Sequence, residues 1–151
     1  QDRYLVTGLQ IRRELTRLIR TAKPDIGVSC DPQNYFSGEP YLNHPDHRAA
    51  GHLAVDAIFP AVSNPGFFPW LIYEGYPATS VSELWLSLPA QANVVLDVSE
   101  FWQQRTQALL KHRSQIGNPA EFLAHLEERR LENFGPDDRY VERFRRIVFR
   151  K

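Results

Sequence analysis

The sequence predicts an α/β fold with a parallel sheet, and three observations carry that prediction. Residues 4–22 form an amphipathic helical stretch stopped by Pro24 and Asp25. The apolar run Ile26-Gly27-Val28-Ser29-Cys30 follows directly and leaves through Asp31-Pro32 into a loop. Further on, Val94-Val95-Leu96 make a continuous apolar run of the kind found in strands covered on both faces. A helix feeding a short buried strand that exits into a long loop is the repeating unit of α/β proteins. Their ligands bind at the carboxyl ends of the strands, which places Asp31 and the loop 33–43 at the functional edge.

Taken in order, the first helix is expected to turn Ile11, Leu15, Leu18, Ile19 and Ala22 inward, with Arg12, Arg13, Arg17 and Arg20 pointing to solvent. The loop after the strand carries Asn34, Tyr35, Phe36, Ser37, Gly38, Pro40 and Tyr41. It is longer than most connections in α/β units, and such loops are usually functional or disordered. Tyr35 and Tyr41 are therefore candidate walls of a substrate site, with anchoring of the loop to the body as the competing role. The next helix begins at Asn43-His44-Pro45, because proline suits the first helical turn. Ala50, Leu53, Ala54, Ala57 and Ile58 then mark one buried face. Pro60 and Ser63-Asn64-Pro65-Gly66 break it. Three strands are expected over residues 70–74, 83–88 and 93–97. Ser99 should cap a helix reaching Gln115, and Asn118-Pro119 should open another that closes at Gly135-Pro136. The tail from Arg139 interleaves six basic residues with Val141, Phe144, Ile147 and Phe149, as in a helix or strand packed on the body.

Composition narrows the possibilities. The 151 residues fit a single domain, with 42% hydrophobic and 24% charged residues, ordinary values for a globular chain. Formal net charge is zero, which argues against general nucleic-acid binding. Cys30 is alone, so neither a disulfide framework nor a cysteine zinc site is available. No apolar run approaches the roughly 18 residues needed to span a bilayer.

Chemistry concentrates in Asn43-His44-Pro45-Asp46-His47-Arg48. Two imidazoles and a carboxylate stand within four positions at a helix N-terminus. Three residues apart, His44 and His47 share a helix face, where Cβ atoms lie about 5–6 Å apart. The dipole there favours nearby anions, and neutral imidazoles bind metal. The same residues also suit a simple cap and solvated polar side chains, and the spacing differs from the i, i+4 pair of H-E-x-x-H metalloproteases.

Residues 43–51 resemble the second signature of the LmbE-like, or PIG-L-like, zinc-dependent N-deacetylases. The run from Leu15 through Lys23-Pro24-Asp25 to Asp31-Pro32 resembles that family's helix, turn, strand and exit. Asp97-Val98-Ser99 with the segment ending His112-Arg113-Ser114-Gln115 resembles a later strand and helix, and Tyr140 to Arg145 its closing stretch. The family's first signature, His-Pro-Asp-Asp-Glu, does not occur in this sequence. The resemblance thus implies a Rossmann-like three-layer sandwich with a mostly parallel sheet, here lacking its first βα segment. Residues 1–151 would be one α/β unit, the carboxyl-terminal part of a deacetylase domain whose missing amino-terminal segment belongs to the same protein.

The function implied is a cytoplasmic hydrolase that removes an N-acetyl group from an amino-sugar conjugate of the N-acetylglucosamine type, using zinc-activated water; a homo-oligomer is also compatible. His47 would be one zinc ligand, with other divalent metals also able to serve. The absent signature would supply two more ligands and the general base. His44 would stabilise the oxyanion or protonate the leaving amine, and Asp46 would orient an imidazole. Tyr41, Asn43 and Arg48 would contact substrate. The alternative is a non-catalytic carbohydrate-binding or scaffold homologue that has lost the first metal-binding signature.

Overall fold

The computed structural model describes residues 5–36, 42–134 and 139–149, with backbone alone for 130–134. Its elements are α1 (Leu9–Ala22), β1 (Ile26–Cys30), α2 (Pro45–Asp56), α3 (Pro69–Tyr73), β2 (Glu83–Ser87), β3 (Val94–Asp97), α4 (Trp102–Leu110), α5 (Pro119–Phe134) and β4 (Val141–Val148). Three of the strands form a sheet in the order β1-β2-β4. The chain divides into two compact units, residues 1–94 with 143–151, and residues 95–142.

In the first unit β1 runs parallel to β2, with Ile26 opposite Glu83 and Cys30 opposite Ser87. β4 then returns antiparallel, with Glu83 opposite Val148 and Ser87 opposite Phe144. The sheet is mixed, where the sequence predicted a mostly parallel one. Strands alternate their faces, and one face of this sheet carries the core. Leu84 and Leu86 of β2 pack with Ile58 and Val81 there, flanked by Ile19, Val55, Ile147 and Phe149. Gly27 belongs to this face of β1, because a Cβ built on it would lie 2.6 Å from Ile58 Cδ1. The opposite face of β1 is open: Ile26 is 51% and Val28 68% exposed. The expected buried strand is thus an edge strand covered on one side.

α1 also differs from expectation. It starts after Gly8, and its most deeply buried residues are Thr16 and Arg20, while Ile11, Leu18 and Ala22 are exposed. Arg20 is 1% exposed. Its guanidinium donates to the carbonyls of Ala61 (3.0 Å), Val62 (3.3 Å), Asn64 (3.2 Å), Phe67 (3.2 Å) and Tyr76 (3.4 Å). These carbonyls lie in the irregular stretch between α2 and β2, where only some have main-chain donors: Val62 O accepts from Thr79 N–H and Asn64 O from Phe67 N–H, and a buried carbonyl needs a donor. A fan of donors on one side chain meets that need better than any aliphatic residue.

The apolar stripe of α2 behaves as its periodicity predicts, with Leu53, Ala57 and Ile58 buried. After α2 the chain kinks within Ala57–Ala61, where Phe59 is extended (φ −136°, ψ 121°) and precedes a cis Phe59–Pro60 bond. Residues 70–74 are not a strand: Pro69 starts a one-turn helix there, α3, behind Phe68 in the left-handed conformation. A five-residue apolar run suits either structure, and the proline at the first position decides for the helix.

In the second unit, Val95 and Leu96 of β3 are exposed at 58% and 39%, contrary to a strand covered on both faces. Ser99 opens a short 3-10 turn, Ser99–Phe101. Its hydroxyl donates to Asp97 Oδ1 (2.6 Å) and accepts the N–H of Tyr140 (2.9 Å), so it ties turn to tail instead of capping α4. α4 ends at Leu110, short of Gln115. Trp102 stacks on Tyr140 with centroids 3.9 Å apart, and Arg105 lies over the indole while pairing with Glu142 at 2.7 Å. Asn118 caps α5 as expected, its Oδ1 accepting the N–H of Ala120 at 3.0 Å. The Gly135-Pro136 stop lies outside the described residues.

Candidate active site

The carboxyl end of β1 and the N-terminus of α2 come together through Gly51. A Cβ on this residue would lie 2.4 Å from the carbonyl oxygen of Cys30 and 2.9 Å from Pro32 N. Only glycine lets the helix approach the strand this closely. Ser29 Oγ lies 3.5 Å from the carbonyl of Ala50 and reinforces the contact. The first turn of α2 is thereby held beside the exit of the strand, where α/β folds place their ligands.

Asp31, at that exit, is 1% exposed. Its two carboxylate oxygens accept the N–H groups of Gln33 (2.9 Å) and Ala90 (2.9 Å), and its own N–H donates to Ser87 O (3.0 Å). It clasps the loops after β1 and β2 together. Asn34 adds to the clasp by donating from Nδ2 to Leu88 O at 2.7 Å. A short bridge between Phe36 and Leu42 closes the base of the following loop. Tyr41 lies outside the described residues.

His44 is the N-cap of α2, with Pro45 at the first helical position. Its Nδ1 accepts the main-chain N–H of Asp46 at 3.2 Å. The carboxylate Oδ1 of Asp46 accepts the N–H of Leu5 at 3.3 Å. His47 lies three residues on, its ring centroid 5.6 Å from that of His44 and tilted by 52°. Its Nδ1 lies 3.3 Å from Asn43 Oδ1. Both imidazoles are exposed, while Asn43 is buried beneath them at 5% exposure. Arg48 donates to the carbonyl of Asn43 and lays its guanidinium 4.2 Å from the centre of the Tyr35 ring. The pair braces the loop against the helix and holds one ring face of Tyr35.

Asn43, His44, Asp46, His47 and Arg48 lie together at the N-terminal end of α2. Asn34 and Gly51 are the contributors that sequence reasoning missed. Asn34 reads as one more turn former in a polar loop, and Gly51 as a small residue suited to packing. Their importance comes from contacts with residues distant in the chain. Among the described residues, no group of three or more His, Cys, Asp or Glu side chains stands close enough to hold a metal ion. His112 and His125 are in the other unit; both are exposed, and His125 sits 3.7 Å from Glu128.

No family model matches the sequence. The diacetylchitobiose deacetylase of Thermococcus kodakarensis is 29% identical over 115 residues, which are 76% of this chain and 41% of that protein. Among solved structures, the N,N'-diacetylchitobiose deacetylase from Pyrococcus horikoshii, complexed with its inhibitor MPG, superposes with a TM-score of 0.80 and 27% identity. That match covers 98% of this chain and 55% of the other. The conserved protein TT1542 from Thermus thermophilus shares the fold at a TM-score of 0.64 and 23% identity, covering 97% of this chain and 63% of its own. The chain spans about half the length of the two deacetylases it matches. By sequence and by structure, the chain is homologous to diacetylchitobiose deacetylase, a protein of the LmbE/PIG-L type to which the motif around His44 and His47 points.

Proposed function

We propose that this chain forms part of a metal-dependent hydrolase that removes an N-acetyl group from an amino-sugar substrate. The observation that carries the reading is the pair of imidazoles on the first turn of α2, anchored in opposite senses. His44 accepts a main-chain N–H at Nδ1, so its proton sits on Nε2, which is free to donate. His47 has its Nδ1 against the amide oxygen of Asn43, an arrangement in which Nε2 keeps its lone pair. A ligating histidine typically donates its other ring N–H in this way, so the donor chemistry of His47 fits one position of a catalytic zinc. Such sites take three protein ligands and leave one position open; the described residues supply His47 alone. When bound, zinc supplies Lewis-acid polarisation of the acyl carbonyl and an activated water.

The remaining work belongs to the chain's own groups. Hydrolysis breaks the C–N bond of the acetamide, adds water across it and releases acetate and a free amine. Negative charge develops on the carbonyl oxygen, and the Nε2–H of His44 is placed to donate to it from a site fixed by the helix N-terminus. The Nδ1 lone pair of His44 is committed to the N–H of Asp46, so the ring keeps its one proton and acts as a hydrogen-bond donor to the oxyanion, while the departing nitrogen takes its proton from the attacking water. Asp46 contributes its main-chain N–H to the orientation of His44, while its carboxylate Oδ1 accepts the N–H of Leu5.

Three variants of the complete protein test these roles. His47→Ala should lose bound zinc together with activity on an N-acetylated chitobiose-type substrate. His44→Ala should keep its zinc and its KM while kcat falls roughly 10²–10³-fold, the usual loss for one oxyanion donor. Asp46→Asn keeps the main-chain bond to His44 and removes only the carboxylate's charge, so its loss should stay below the roughly 10–100-fold that follows when a contact orienting the imidazole is broken. Zinc retained by His47→Ala but lost by His44→Ala would reverse the two roles. A protein that neither binds zinc nor hydrolyses the substrate would favour the non-catalytic carbohydrate-binding reading.

A further inference from the structure

Asn43 is the residue whose surroundings the hydrolytic reading leaves unexplained. It is 5% exposed, and its four polar groups all have partners within the chain. Its N–H donates to Tyr35 O at 2.8 Å, and its carbonyl accepts from Arg48. Its side-chain Nδ2 donates to the carbonyl of Asn34 at 2.9 Å. That last bond fixes the amide. Turning it over would set Oδ1 against the carbonyl oxygen of Asn34, acceptor to acceptor. With Nδ2 committed to Asn34, the atom facing His47 Nδ1 at 3.3 Å is Oδ1. An amide oxygen only accepts, so Nδ1 of His47 carries the proton and Nε2 is the bare nitrogen.

We propose that Asn43 is a positioning residue that sets the tautomer of His47, with the Asn34 carbonyl setting Asn43 in turn. This goes beyond the assignment of His47 as a metal ligand and rests on that reading for its functional consequence. A neutral histidine side chain in water favours the proton on Nε2, the arrangement that cannot bind a metal through that nitrogen. Asn43 reverses the preference at His47, while the helix N-terminus enforces the ordinary tautomer at His44. Two identical side chains three residues apart thereby become an electron-pair donor and a proton donor. Asn43 is buried and engaged at every polar group, so its role is orientation of the imidazole above it.

The test reads the tautomers directly. In the metal-free complete protein, labelled with ¹⁵N at histidine, two-bond proton–nitrogen correlation spectra at a pH where both rings are neutral separate protonated from bare nitrogens. The expected result is a protonated Nδ1 at His47 and a protonated Nε2 at His44. A bare Nδ1 at His47 in the unmodified protein overturns the proposal without any variant. Asn43→Ala should return His47 to the Nε2–H form and leave His44 unchanged, and Asn43→Asp, which loses the donor to Asn34 O but keeps an acceptor toward the ring, should retain Nδ1–H wherever it folds. If Asn43→Ala does not fold, Asn43→Ser, too short to reach the ring, replaces it. A folded variant of either kind with His47 still protonated at Nδ1 overturns the proposal. Zinc titration followed by competition with a chelator should show affinity reduced roughly 10–100-fold in Asn43→Ala and restored in Asn43→Asp. The tautomer result stands apart from hydrolysis. Correct tautomers in a protein without deacetylase activity would support the positioning role and sink the hydrolytic reading, whereas activity with a bare Nδ1 at His47 would do the reverse.

Discussion

At the residue scale, a few side chains set the distances on which everything else depends. Gly51 is the clearest case, because the atom nearest its absent Cβ is main-chain oxygen, which cannot swing aside. Gly51→Ala should push the first turn of α2 away from β1 and destabilise the protein by about 1–3 kcal/mol, the usual cost of overpacking. Activity should fall with it, since His44 and His47 ride on the displaced turn. A thermal melt and a steady-state rate on the variant decide this, and an unchanged melting temperature would show that the helix can yield at no cost. The residues of the candidate site were legible in the sequence because they are neighbours in the chain: cap, proline and both imidazoles fall within five positions. The residues that fix them were not legible, because Asn34 and Gly51 act through contacts that folding creates. Arg20 shows the same limit. An arginine at helical spacing among other arginines reads as a solvated face, and nothing local announces that a distant irregular segment needs its donors.

At the scale of elements, the antiparallel pairing of β2 and β4 has an electrostatic clasp on its face opposite the core. Glu83 accepts from Arg146 Nε at 2.9 Å and from Trp85 Nε1 at 2.7 Å, with a second arginine nitrogen on its other oxygen. The hydrogen bonds from Arg146, and then that from Trp85, hold its carboxyl at about 2, below the ordinary 4.5. A carboxyl whose pKa is lower folded than unfolded stabilises the fold above its unfolded value. That contribution fades as pH drops from 4.5 through about 2. Glu83→Gln should therefore flatten the acid limb of the stability curve in that window and lower stability near pH 7 by a similar amount, kept modest because Arg146 is 40% exposed. Melting curves across this range check the expectation, and an acid limb identical to that of the parent would show that the clasp does not titrate with the fold. The antiparallel return of β4 was hidden in the sequence. Its charges alternate with Val141, Phe144 and Ile147, a pattern that suits an edge-facing strand or a packed helix equally well. Only pairing with β2 separates the two. α2 was legible for the converse reason, since Leu53, Ala57 and Ile58 fall at helical spacing and all three are buried.

At the scale of the whole molecule, the first unit carries an unpaired sheet edge beside an uncovered apolar face. β1 is the end strand of the sheet and pairs with β2 alone among the described residues. Ile26 and Val28 stand on its open face, and Leu9, Ile11 and Leu18 of α1 are exposed as well. An edge strand of this kind is a template for another strand, and natural proteins usually blunt or cover it. In β1 no charge or proline interrupts the five residues from Ile26 to Cys30. Both deacetylases matched by this chain are longer proteins. The expectation is that a polypeptide of residues 1–151, made alone, associates through the β1 edge and binds a hydrophobic dye, whereas a longer protein that places a further strand against β1 does neither. Val28→Lys puts a charge on the open face without touching the buried one, so it should reduce self-association of the 151-residue polypeptide and leave its circular dichroism unchanged. Sedimentation velocity over a range of concentrations reads the outcome. A polypeptide that stays monomeric, melts cooperatively and binds no dye would show that this edge needs no partner strand.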